Sequence, residues 1–126
     1  MVKYLFAEDI KQKINELIKT LEFNHINSER VICFRSFGSN SRAIARCYAL
    51  SKIWQKALGT PPCYVVEVLS ERFDKLSAEE QIKVLIHELL HIPKTFGGGF
   101  RYHDFVSQKQ VEYYYGILKQ KSYKPF

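Results

Sequence analysis

The run His87-Glu88-Leu89-Leu90-His91 constrains this chain more than any other stretch, because it has the pattern H-E-x-x-H. On a helix, residues four apart share a face, so His87 and His91 point the same way. Two neutral imidazoles at that spacing can hold one zinc ion, each at about 2.0–2.1 Å. Glu88 is rotated by about 100° from His87, as a 3.6-residue turn requires. That keeps its carboxylate off the metal but beside a zinc-bound water, whose proton it can take and later pass to a leaving amine. The pattern therefore implies zinc-assisted hydrolysis, most often of a peptide bond. With 4 His in 126 residues, chance supplies roughly 0.01 such matches.

The surrounding residues specify a helix. Ser77 and Glu80 stand three apart as a capping box with Ser77 as N-cap. Ile82, Leu85, Ile86 and Leu89 follow at helical spacing and predict a buried stripe. Pro93 disfavours the α region at Ile92, so the helix is expected over about 77–92. The loop beyond contains Gly97-Gly98-Gly99, which permits sharp reversal and close backbone approach. Such a loop can swing the chain back so that His103 faces the metal.

The stretch Val84 to Pro93, followed by Gly97-Gly98-Gly99 and His103, resembles the small archaeal and phage metallopeptidases, which are similar to SprT-type zincins. Arg42 to Tyr48, with Ile53-Trp54 beyond, also resembles that group, so the likeness spans about residues 31–105. It implies zinc held by His87, His91 and His103, with Glu88 as the catalytic base. Where those proteins carry the third histidine between glycines, Tyr102 and Asp104 flank His103 here.

Other residues compete for roles around this motif. Glu112, 21 residues after His91, would give the His₂Glu ligand set of thermolysin-like enzymes. Asp104 could bond to a ligand imidazole instead of the metal. Tyr102, Tyr113, Tyr114 and Arg101 are candidate donors to an oxyanion, although tyrosines commonly pack with only the hydroxyl wet. His25 follows the end of a predicted helix, where the dipole favours a cation.

The length predicts one domain over 1–126, large enough to bury a core without staples. Cys33, Cys47 and Cys63 are odd in number and widely spaced, with no CxxC. They read as reduced thiols of a cytoplasmic protein. The first residues lack a long apolar core and a cleavage site, so they do not read as a signal peptide. No apolar run nears the roughly 18 residues of a membrane span. Ile10, Ile14, Leu17, Ile18 and Leu21 predict a helix near 7–23. Strands are expected at 31–34, 43–48 and 64–69, with a turn at 37–41. A short helix closed by Gly59 is expected near 53–58, and a last helix near 103–120. The expected fold is α+β: a small minimal-zincin-like domain with an N-terminal helix, a three-stranded sheet, an active-site helix and a C-terminal helix. Strand 64–69 is expected at the sheet edge, aligning an extended substrate by β-addition.

Charge is uneven within a net +6. Residues 28–56 carry Arg30, Arg35, Arg42, Arg46, Lys52 and Lys56 against Glu29 alone. With Phe34, Phe37 and Tyr48 interleaved, that segment could meet single-stranded nucleic acid; the plainer reading is a solvated basic face. Two functions follow. One is a zinc-dependent peptidase acting through a Glu88-activated, zinc-bound water on a peptide or protein substrate. The other is a non-catalytic zinc-containing module that binds nucleic acid or protein, against which Glu88 argues, since a structural zinc site needs no base.

Overall fold

The computed structural model describes residues 1–102 and 106–121. Among them are a four-stranded sheet and five α-helices, an α+β arrangement as the sequence implies. The strands are β1 (Lys3–Phe6), β2 (Val31–Phe37), β3 (Ala45–Ala49) and β4 (Tyr64–Leu69), in the spatial order β1-β2-β4-β3. The helices are α1 (Glu8–Thr20), α2 (Lys52–Leu58), α3 (Ser70–Phe73), α4 (Ala78–Leu90) and α5 (Gln108–Gln120).

The sheet corrects two expectations. It has four strands rather than three, because Lys3–Phe6 pairs antiparallel with β2, Lys3 opposite Phe37 and Phe6 opposite Phe34. All four β1 residues are exposed, so no alternation marks the strand. Its support is tertiary: ladder bonds to β2 and the stack of Phe6 on Phe34, with ring centroids 4.6 Å apart. The second correction concerns β4, which is central and not an edge. It runs parallel to β2 and antiparallel to β3. Tyr64, Val66, Glu67, Val68 and Leu69 are all buried, as a strand with two neighbours tends to be. The edges are β1 and β3.

Val31, Cys33, Tyr64, Val66 and Val68 face a core completed by helix stripes. From α1 come Ile10, Ile14, Leu17 and Ile18; from α4, Ile82, Leu85, Ile86 and Leu89. Helix α4 packs on β3, α1 and α5. Its start is as predicted: the Ser77 hydroxyl accepts the Glu80 backbone N–H at 3.2 Å and lies 3.1 Å from the Glu80 carboxylate. Gly59 closes α2 with φ 63°. Helix α5 begins later than expected, with Ser107 as N-cap accepting from Gln110 N–H at 3.3 Å. Among the described residues no helix is long and apolar enough to cross a membrane.

The glycine loop after α4 is fastened to the end of the sheet. The buried Tyr64 hydroxyl donates to the Gly99 carbonyl at 2.8 Å and accepts the Gly98 N–H at 3.1 Å. The Gln55 side-chain amide donates to the carbonyls of Leu50 at 2.8 Å and Gly97 at 3.1 Å. Gly98 has φ +103°, and a Cβ there would lie 2.6 Å from the Leu50 oxygen, so both conformation and space require glycine. Tyr64→Phe should remove both hydroxyl bonds and cost about 1–3 kcal/mol, the penalty for leaving buried backbone groups unpaired. In urea unfolding this appears as a lower midpoint at unchanged slope. An unchanged midpoint would mean that the hydroxyl does not hold the loop.

Candidate metal centre

Helix α4 presents His87 and His91 side by side, with ring centroids 4.9 Å apart and ring planes at 77°. His91 is the C-cap and is buried, 4% exposed. Three contacts from the returning loop fix it. The Arg101 backbone N–H donates to the His91 carbonyl at 2.7 Å. The Arg101 carbonyl lies against His91 Nδ1. Phe100 stacks on the imidazole at 4.5 Å and 13°. A carbonyl can only accept, so Nδ1 carries a proton, and in the neutral ring Nε2 then keeps the lone pair that a metal uses. The glycine loop thus returns the chain to His91, bringing the Phe100 ring and the Arg101 backbone against it.

Glu88 lies between them in sequence and is buried, 6% exposed. Burial alone pushes its carboxyl up to about 7, because low-dielectric surroundings disfavour the charged form. The Cys47 thiol on β3 is also pushed up, first by burial and then by the charge of Glu88. Both groups line one cleft of about 260 Å³. Its other walls are Ala45, Arg46 and Tyr48 of β3, His87 and His91 of α4, and Phe100 and Tyr102 of the loop. Edge strand β3 therefore runs directly beside the histidines. The resemblance of Arg42 to Tyr48 marks this segment in the sequence, but neither the cysteine nor the tyrosine there matches a motif that would place it beside the histidines.

The donors suit a borderline cation such as zinc: two imidazoles at helical spacing, one with its tautomer fixed by a carbonyl, and a carboxylate alongside. Among the described residues no group of three or more His, Cys, Asp or Glu is placed to hold a metal. Glu112 does not join the histidines. Its exposed carboxylate pairs with Lys83 at 3.0 Å and accepts from the Gln108 amide at 2.8 Å. His103 and Asp104 lie outside the described residues. Of the tyrosine candidates, Tyr102 lines the cleft, whereas Tyr113 and Tyr114 pack edge-on against each other and Tyr114 against Phe23.

His25 plays a different part from the one expected at the end of α1. Burial lowers its pKa, while a hydrogen bond to the backbone of Ile92 opposes that shift. It therefore ties down the chain just after α4. Three of the six basic residues of segment 28–56 are engaged by other groups of the protein, while Arg42, Lys52 and Lys56 stand exposed. Arg30 donates to the Pro61 and Pro62 carbonyls and to the Thr60 hydroxyl. Arg35 bridges Asp9 and Asp74, each at 3.0 Å. Arg46 donates to the Ser41 hydroxyl at 2.6 Å. Phe34 is stacked on Phe6, and the Tyr48 hydroxyl bonds to Glu67.

A family model described as "putative phage metallopeptidase" matches residues 2–124, and the chain belongs to that family. No curated protein and no solved structure matches it. Membership makes the chain a metallopeptidase: a hydrolase with a metal cofactor and a peptide or protein substrate.

Proposed function

We propose that this metallopeptidase is a zinc endopeptidase of minimal-zincin type, similar to the small archaeal and SprT-type zincins, with residues 1–126 as one catalytic domain. The observation that carries this reading is the pairing of His87 and His91 on one face of α4, in the same cleft as the buried Glu88 and beside an open sheet edge. His87, His91 and His103 would hold the metal. Zinc, when bound, supplies a Lewis acid that polarises a water and the scissile carbonyl.

The chain's own residues do the rest. Glu88 takes a proton from the attacking water and returns it to the leaving amine. Its burial keeps bulk water from competing for that proton. The Arg101 carbonyl and the Phe100 ring hold His91 in one tautomer and one orientation, which preserves its ligand nitrogen. Strand β3, not β4, aligns the substrate: its free edge offers backbone groups to an extended peptide. Cys33, Cys47 and Cys63 are all unpaired, which favours a reducing, cytoplasmic setting. A non-catalytic binding module is disfavoured, since burying Glu88 is costly and a closed structural site has no use for it. Nucleic acid is likewise disfavoured by the internal commitments of Arg30, Arg35 and Arg46.

Protein stripped with chelator and reloaded should carry about one zinc per chain by elemental analysis, as a three-ligand catalytic site predicts. Cleavage of an unfolded protein substrate should vanish on stripping and return on reloading. Failure to take up zinc would end this reading.

A further inference from the structure

A second cleft, of about 320 Å³, opens on the other side of His87. It shares Ala45, His87 and Glu88 with the first. An extended peptide lying along β3 would therefore cross from one cleft to the other at the two α4 residues assigned to the chemistry. The walls of the second cleft are apolar: Ile44, Ala45, Val84 and Val111.

Besides His87 and Glu88 at its inner end, three polar heads stand around it: Lys83, Gln108 and Arg42. Two are engaged. Lys83 pairs with Glu112 at 3.0 Å and Glu79 at 3.3 Å, and the Gln108 amide donates to Glu112. Arg42 is exposed, and among the described residues its guanidinium has no hydrogen-bond or ion-pair partner. The cleft thus joins a wall that can bury methylenes to one uncommitted planar cation.

We propose that this cleft is a specificity pocket for a carboxylate-bearing substrate residue, and that Arg42 selects it. The inference rests on the peptidase reading and adds the class of substrate to it. The apolar wall takes the stem of the residue beside the scissile bond, and the guanidinium fork pairs with the carboxylate, a match that favours two parallel N–H···O bonds. The wall matters, because an ion pair left fully in water contributes little. The carboxylate can come from an acidic side chain or from the substrate's own C-terminus.

The test is fluorescence anisotropy on zinc-reloaded Glu88→Gln protein, which binds without cleaving. Labelled peptides share one apolar scaffold and differ at one point: Glu with an amidated C-terminus, Gln with an amidated C-terminus, Gln with a free C-terminal carboxylate, and Lys with an amidated C-terminus. One of the two carboxylate peptides should bind about tenfold more tightly than the neutral one, the usual scale for a hydrogen bond to a charged group. Which one does so names the source of the carboxylate. Adding Arg42→Glu should abolish that preference and favour the Lys peptide. Adding Lys52→Glu instead makes the same charge change on α2 and should leave the preference intact.

Equal binding of the charged and neutral peptides would overturn the proposal. So would no binding at all, or an equal loss with Lys52→Glu. Cleavage of an unfolded protein by the unaltered enzyme, with its products sequenced, reads the peptidase separately. Cleavage without a carboxylate preference sinks the pocket and spares the peptidase. No cleavage sinks the peptidase, while an Arg42-dependent preference in binding would still stand.

Discussion

Glu88→Gln leaves the fold and the bound metal in place and lowers peptide hydrolysis by about 10²–10⁴-fold, the range that a positioned general base contributes. The amide is nearly isosteric with the carboxyl, so the cavity that holds Glu88 in α4 stays filled and the flanking Leu89, 1% exposed, keeps its packing. Glutamine cannot accept the water's proton, so the step that creates the nucleophile fails. Neither imidazole is touched, and the Arg101 carbonyl still faces His91. Burial alone already raises the Glu88 carboxyl to about 7, so a neutral amide at that position should not destabilise the protein. Three measurements belong together: turnover of an unfolded protein substrate, zinc content and the thermal midpoint. Unchanged turnover with full zinc would remove Glu88 from the chemistry. Lost zinc or a lower midpoint would show that it serves the fold or the metal instead.

What the sequence discloses depends on how local the cause is. Helix α4 is legible because its cap, its apolar stripe and its stop at Pro93 all lie within one short run. The same regularity makes His87, Glu88 and His91 legible as a set, since the helix alone fixes how they face. β4 is legible as a strand but not in its place in the sheet. Its apolar run announces burial, and only the tertiary fold decides that β2 and β3 flank it. β1 is invisible because four exposed residues carry no period, and its partner lies some 30 residues away. The clamp on His91 is hidden for a related reason. It depends on the path that Gly97 to Gly99 take around the Tyr64 hydroxyl. The basic cluster misleads as a linear count: Arg30, Arg35 and Arg46 are engaged by carbonyls, carboxylates and two hydroxyls of the protein itself, while among the described residues Arg42 remains uncommitted at the cleft.

The third metal ligand gives the other large effect. His103→Ala should weaken zinc by more than the 10–100-fold that typically follows loss of a group merely orienting a ligand, whereas Glu112→Ala should change it little. The reasons differ for the two residues. Glu112 is exposed and already shared between Lys83 and Gln108. Pulling it to the histidines would cost both contacts and leave Lys83 with Glu79 alone. Its removal should cost no more than the loss of a solvent-exposed ion pair, which contributes little. His103 follows Tyr102, which lines the cleft with His87 and His91, and it brings the same donor chemistry as the other two. Two imidazoles alone leave a zinc ion short of the three protein ligands that catalytic sites use. Competition against a chromophoric chelator gives both affinities on one scale. Circular dichroism of the stripped proteins checks that neither substitution unfolds the chain. A larger loss with Glu112→Ala would make the site His₂Glu, and α5 would have to turn that carboxylate away from Lys83 when metal binds. Equal, small losses would place the third ligand at neither position and leave Asp104, beside His103, as the next residue to change.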